Sequence, residues 1–227
     1  MTPAEKRTVR SFVRRTGRMT RSQLRALDEL WPTYGIEFSA EPLDLTAVFG
    51  RDSRRVLEIG FGNGDSLVEQ AAAHRELDFI GIEVHRPGVG HCLLAAEQKA
   101  LDNLRVILHD AIDVLQQQVG EAALDRVNLY FPDPWPKKRH HKRRILQAAF
   151  VDLIASRLKP GGSLHIATDW APYAAHIYEV LGASQAFELE ERREHCGDRP
   201  LDRPTTKFER RGLGKGHEIV DWRFIRI

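Results

Sequence analysis

"VLEIGFGNGDS", residues 56–66, carries an apolar run of strand length straight into three closely spaced glycines and then into a polar helix start. Glycines at such a junction let the chain turn sharply, and they let a ligand reach the main chain with no Cβ in the way. The same change of rhythm recurs along the chain. Strand-like runs at 54–60, 77–84, 103–110, 125–131 and 162–169 alternate with helix-period or helix-forming segments at 66–74, 90–101, 111–119, 142–158 and 171–181. In the fourth helical segment Leu146, Phe150, Leu153, Ile154 and Leu158 recur at helical spacing, and Lys159-Pro160-Gly161-Gly162 predicts its stop. Further strands are expected at 186–191 and 219–226, with a short helix in 41–50 ending at Gly50. The pattern predicts an α/β fold: a parallel sheet covered by helices on both faces, with ligands gathering at the carboxyl ends of its strands.

At 227 residues the chain fits one large domain, expected over 41–227, preceded by a flexible basic arm over 1–40. Its apolar runs fall short of the roughly 20 residues that span a bilayer, so no membrane contact is expected. The Arg-rich N-terminus lacks the apolar stretch of a secretory signal. Two cysteines, Cys92 and Cys196, make neither a disulfide framework nor a C-x-x-C pair, which points to a reducing cytoplasm. The formal net charge of +2 hides a polarised distribution. Residues 1–25 hold eight Lys/Arg against the single acid Glu5, and 137–144 hold six Lys/Arg and no acid. Outside those segments twenty basic residues face thirty-one acidic ones. An acidic body with two concentrated basic segments predicts directed binding of a polyanion.

Gly60, Gly62 and Gly64 are spaced G-x-G-x-G, whereas a nicotinamide dinucleotide site uses G-x-G-x-x-G; the difference favours a ligand without a pyrophosphate. Glu83 ends the second strand 19 residues after Gly64, where an acid accepts hydrogen bonds from ribose hydroxyls. Asp110 ends the third strand, placed to receive the exocyclic amine of an adenine. Glu58, two residues before the first glycine, is placed to orient an ammonium at the other end of the ligand, directly or through water. Together these acids describe an adenosine-shaped site.

"EIGFGNG" (58–64) and "IGIEVH" (80–85) resemble the first two motifs of the class I S-adenosylmethionine-dependent methyltransferases, over roughly residues 50–227. The resemblance implies a Rossmann-like, seven-stranded, mostly parallel sheet whose last strand is antiparallel. It also implies S-adenosylmethionine as cofactor, S-adenosylhomocysteine as product and no metal, with Glu58, Gly60, Gly62, Gly64, Glu83, Asp110, its neighbour Ala111, and Asp133 at the cofactor. Enzymes of this class that methylate exocyclic amines carry (N/D)-P-P-Y after the fourth strand. This chain has "FPDPWPKKRHHKRR" (131–144) there, with "ATDW" (167–170) and "TKFERRG" (206–212) further on. These motifs are very similar to those of the bacterial tRNA (guanine-N7-)-methyltransferase family, which implies a tRNA substrate methylated at the variable-loop guanine, position 46.

Guanine N7 presents an in-plane lone pair, so its methylation needs positioning and charge stabilisation rather than a strong base. Asp133 is the catalytic candidate from that chemistry, and the resemblance implies the same residue. By resemblance, Lys137, Asp169, Thr206, Lys207, Phe208 and Glu209 contact the substrate, with Lys137 suited to a phosphate and Asp169 and Glu209 to a base edge. Phe208 either stacks on a base or packs in the core. Arg139, His140, His141, Lys142, Arg143 and Arg144 form the expected RNA-binding stretch. Trp135 either stacks on a base or packs on the sheet. His140 and His141 are adjacent and so poor joint ligands, and with His85, His91 and His109 scattered no zinc site is expected. No obligate protein partner is expected, and monomer and homodimer both remain open. The competing classes are a noncatalytic RNA-binding protein, which would have lost Asp133 or the strand-end acids, and a nicotinamide-dependent oxidoreductase, which the glycine spacing disfavours.

Overall fold

The computed structural model of the chain describes residues 10–12, 17–196 and 202–227. In chain order it forms α1 (Arg21–Glu29), α2 (Trp31–Tyr34), β1 (Gly35–Ile36), α3 (Leu45–Phe49), β2 (Arg55–Ile59), α4 (Asp65–Ala73), β3 (Asp78–Ile82), α5 (Arg86–Gln98), β4 (Leu104–Ile107), α6 (Ala111–Gln117) and β5 (Leu124–Tyr130). A 3₁₀ turn at Lys138–Arg143 follows, then α7 (Ala148–Arg157), β6 (Leu158–Thr168), α8 (Ala171–Gly182), β7 (Phe187–His195), α9 (Lys207–Leu213) and β8 (Ile219–Arg226). The strands form one sheet in the order β1-β4-β3-β2-β5-β6-β8-β7. Only β8 runs against the others, antiparallel to both β6 and β7. The last strand is therefore antiparallel, as expected. The strand count differs, eight among the described residues rather than seven, because the two-residue β1 adds to the edge of β4 at Gly35↔Val106 and Ile36↔Ile107.

Successive side chains of a strand point to opposite faces, and the two cores follow that period. Leu57 and Ile59, Ile80 and Ile82, Val127 and Leu129, and Leu164 and Ile166 join one cluster with α6, α7 and α8. Val56, Phe79, Leu104 and Val106 join the other with α1, α4 and α5. Further along that second face the alternating positions of β2, β5, β6 and β8 become polar: Glu58, Asn128, His165 and Asp221, all buried. A buried polar layer of this kind requires internal partners.

Two expectations need correction. Residues 20–36, read as part of a flexible arm over 1–40, are folded, and Thr20 starts their first helix. Its side chain accepts from the Gln23 amide while the Gln23 side chain accepts from the Thr20 amide, a reciprocal cap worth about 1 kcal/mol. Ala26, Tyr34 and Ile36 are then buried against the body. The high arginine content masked this segment's few apolar anchors. Positions 1–9 and 13–16, which include Lys6, Arg7, Arg14 and Arg15, lie outside the described residues. The helix expected over 142–158 begins at Ala148, since residues 138–143 wind into the 3₁₀ turn, and it ends at Arg157.

Gly64 ends the glycine loop at φ 82°, and a Cβ there would lie 2.5 Å from Cys92 Sγ on α5. Gly64→Ala is expected to cost about 2 kcal/mol from the left-handed backbone and the clash. Thermal unfolding should show a melting temperature lower by roughly 4–8 °C, and an unchanged melting temperature would contradict this packing.

Candidate active site

The carboxyl ends of β2, β3, β4 and β5 open into one cleft, lined among others by Gly60, Gly62, Glu83, Asp110, Ala111 and Asp133. Six of the eight residues expected at the cofactor thus meet in one place. Gly60 and Gly62 have φ of 71° and 61°, a left-handed backbone that glycine adopts without cost. A Cβ at Gly60 would meet nothing within 4 Å, so this stretch of loop is a bare cradle facing the cleft.

Glu83 sets the loop's position. Its Oε2 accepts from the Gly62 amide at 2.8 Å, and Oε1 accepts from the amides of Val84 and His85 at 2.7 and 3.0 Å. One carboxylate therefore ties the end of β3 to the turn after β2. An ionised carboxylate has about four acceptor positions, so hydroxyl donors can join these three amides. Asp110 caps α6 by accepting from the Ile112 amide at 3.0 Å. His109 beside it also lines the cleft, stacked on Phe38 with ring centroids 3.8 Å apart and planes 4° from parallel. Sequence reasoning considered His109 only as a metal ligand; its place one residue before Asp110 was the available signal.

The other two cofactor candidates lie behind the cleft. Gly64 packs on α5, as described. Glu58 is buried and accepts from Gln70 Nε2 at 3.2 Å. Burial pushes its carboxyl up to about 8, against the opposing pull of Arg203 and the Gln70 hydrogen bond.

Asp133 stands exposed on the turn that leaves β5. The turn is held at an unusual backbone: Phe131 and Trp135 have φ of 51° and 44°. Bulky residues keep such angles only when their surroundings over-determine them. Phe131 donates its amide to Ala167 O at 2.8 Å. The Pro134 carbonyl accepts from Arg144 Nε at 3.0 Å, and Trp135 Nε1 donates to Ser11 O at 3.1 Å. The Arg143 guanidinium lies 4.1 Å from the Trp135 ring centroid and donates to the carbonyls of Arg10 and Phe12, both at 3.2 Å. Trp135 is thus a partly buried clamp for residues 10–12.

The basic run consequently divides. Arg144 is buried, with its guanidinium 4.9 Å from the Tyr173 ring centroid, so it supports the turn rather than meeting a phosphate as expected. Its companion His141 lies 3.2 Å from Arg144 Nη2, and His140 sets its edge on Trp135. Partial desolvation and the surrounding Arg and Lys charges lower the pKa of His140. Lys137, Lys138, Arg139 and Lys142 remain exposed.

Of the residues expected at the substrate, Phe208 lines the cleft, half-exposed, and the Cβ position of Gly62 lies 3.7 Å from its ring. Lys207 is exposed beside it. Thr206 caps α9, accepting from the Glu209 amide at 3.1 Å. Glu209, expected to offer an acceptor to a base, is instead buried, paired with Arg203 and bonded to the Thr206 amide. Asp169 lies outside the cleft lining, 3.1 Å from His217 Nδ1 and packed on Gly212. Among the described residues no cluster of three or more metal-ligating side chains occurs, and no helix is long and apolar enough to cross a membrane.

A family model described as "Putative methyltransferase" matches residues 52–222. A tRNA (guanine-N(7)-)-methyltransferase of Halorhodospira halophila is 54% identical over 224 residues, covering 96% of this chain and 95% of the relative. One from Cronobacter sakazakii is 51% identical over 221 residues, covering 97% and 92%. Among solved structures, a variant of the 16S rRNA (adenine(1408)-N(1))-methyltransferase of Catenulisporales acidiphilia with cosubstrate SAM matches with a TM-score of 0.59 and 17% identity, covering 85% of this chain and 93% of that one. That last likeness is one of fold.

The raised pKa of Glu58 predicts a pH-dependent stability. Between its unfolded value of 4.5 and about 8 the folded protein binds more protons than the unfolded chain, so this group erodes stability as pH rises through that window. Glu58→Gln removes the effect. Its melting temperature relative to wild type should rise steadily from pH 5 to pH 8 and level off above; a gap independent of pH would contradict a buried, protonated Glu58.

Proposed function

The chain belongs to the tRNA (guanine-N(7)-)-methyltransferase family, and on that premise we propose that its cleft binds S-adenosylmethionine and methylates N7 of the variable-loop guanine, position 46, of tRNA. The observation that carries this reading is the convergence of the bare Gly60–Gly62 loop, Glu83, Asp110 and Asp133 on one cleft with Phe208 at its wall. The cleft suits the cofactor chemically: backbone without Cβ atoms for close approach, and carboxylates at two strand ends for hydroxyl and amine donors. When bound, the cofactor supplies an electrophilic methyl on a sulfonium.

Everything else falls to the chain. Glu83 fixes the loop at one end of the cleft, and Asp110 with Ala111 and His109 forms the wall at the adenine end. Glu58, beneath the loop and outside the cleft lining, reaches the cofactor's ammonium only through water. N7 attacks with its own lone pair, so no proton need be removed first. The purine becomes cationic as the new bond forms, and Asp133 on its stiff turn offers a fixed negative charge and an acceptor for guanine N–H groups. Phe208 is placed to stack on an unpaired base. Lys137, Lys138, Arg139 and Lys142 hold phosphates, whereas Arg143 and Arg144 shape the turn. The product is 7-methylguanine, with S-adenosylhomocysteine released.

Unmodified tRNA incubated with labelled S-adenosylmethionine, followed by chemical cleavage at 7-methylguanine, tests the assignment. A single methylated site in the variable loop is expected; methylation at an amine or elsewhere would overturn it. In the same assay Asp133→Asn should lose about 10²-fold in kcat while its cofactor affinity by calorimetry stays within about twofold of wild type. Near-wild-type turnover would remove Asp133 from the chemistry.

A further inference from the structure

Arg203 is fully buried directly behind the cleft and touches the supports of two of its walls. Its Nε and Nη2 donate to the two carboxylate oxygens of Asp221 on β8, at 2.7 and 2.8 Å. Its Nη1 donates to Glu209 on α9 and to the Pro204 carbonyl. The guanidinium carbon lies 5.3 Å from the Tyr130 ring centroid and 5.4 Å from that of Phe131. Asp221 in turn accepts from or pairs with His165 Nε2 and His195 Nε2, both at 3.1 Å, and His165 Nδ1 lies 3.2 Å from the Tyr130 hydroxyl. The contacts close a ring: Tyr130, His165, Asp221, Arg203 and back to Tyr130.

This ring joins two surfaces the reaction needs in register. Tyr130 and Phe131 line the cleft and lead to Asp133, two residues beyond Phe131. Glu209 follows Phe208, which lines the cleft from α9. Residues 202–206, which lead into α9, also reach the sheet through Asp202, 3.0 Å from Arg223. Only a planar fork can hold two carboxylates in fixed directions while stacking on aromatic faces; an ammonium cannot do so. Buried ionic groups are an uneconomical source of stability, since apolar replacements of similar volume are often neutral. What this arrangement supplies is relative orientation.

We propose that Arg203 is a positioning residue for methyl transfer, locking the Phe208 wall to the Asp133 turn by clamping Glu209 and Asp221 while stacking on Tyr130 and Phe131. Its hydrogen bonds and ring contacts lie on the guanine side of the cleft, whereas Gly60, Gly62, Glu83 and Asp110 are held by separate hydrogen bonds. The proposal rests on reading the cleft as the methyl-transfer site.

The test uses the full chain. Arg203→Lys keeps the charge and loses the fork. A triple variant, Arg203→Met with Asp221→Asn and Glu209→Gln, removes all three charges of the cluster and strands no buried carboxylate, so it guards against misfolding in the first. Melting temperature, cofactor affinity by calorimetry, and kcat and KM with tRNA are measured for each. The expected result is a folded protein whose cofactor affinity stays within twofold and whose KM for tRNA stays within threefold, with kcat reduced at least tenfold in both variants. A kcat within twofold of wild type in either folded variant overturns the proposal. So does cofactor affinity falling in step with kcat, or failure of both variants to fold, since Arg203 would then be a stabilising residue. Absence of tRNA methylation by the wild-type chain would instead reject the reading of the cleft.

Discussion

Phe131 holds a backbone conformation with φ 51°, and the way it is held organises this side of the molecule. A bulky L-residue adopts that geometry at a cost of order 1–3 kcal/mol, and it persists only where surrounding contacts outweigh the cost. Here they come from three directions. The Ala167 carbonyl of β6 takes the Phe131 amide, Arg203 stacks on its ring, and Arg144 holds the Pro134 carbonyl three residues on. The chain leaving β5 therefore cannot continue as a strand. It bends across the carboxyl edge of the sheet, and Asp133 is left exposed at the cleft with rigid residues on both sides.

The same constraint explains the uneven use of charge in residues 137–144. An extended loop would expose all six Lys/Arg, but the 3₁₀ turn winds the segment back under itself. Arg144 reaches the protein interior and Arg143 lies over Trp135, while Lys137, Lys138, Arg139 and Lys142 face outward. Two arginines are consumed in building the turn that presents the carboxylate, and four cations stay exposed on its outer side. Arg143 also fastens residues 10–12 at the cleft, where Ser11 and Phe12 form part of the lining.

Much of this was legible in the sequence, and the misses share a cause. Period-2 and period-3.6 patterns located β2 to β8 and most helices within a few residues, because a sheet buried on both faces leaves long apolar runs. The glycine spacing with Glu83 and Asp110 located the cleft, because backbone approach and strand-end acids are local requirements. Side-chain partners set by tertiary contacts were not legible. Glu58 and Glu209 read as ligand-facing acids, yet both are buried, one beside Gln70 and the other against Arg203. Arg203, His165, His195 and Asp221 carry no motif signal, since each acquires its role only when β5, β6, β7 and β8 are neighbours. Helix α1 was concealed by its arginines, although Thr20 and Gln23 form a capping box that a closer reading of spacing would find.

In the proposed reaction the cleft directs a methyl group to a ring nitrogen that already carries a lone pair, with Asp133 stabilising the cation that results. The most direct measurement compares methyl incorporation into two otherwise identical tRNAs, one with guanine and one with 7-deazaguanine at the variable-loop target. Transfer to the first and none to the second is expected, because the substituted base keeps its N1–H and exocyclic amine but has no nucleophile at position 7. Equal incorporation into both would contradict it.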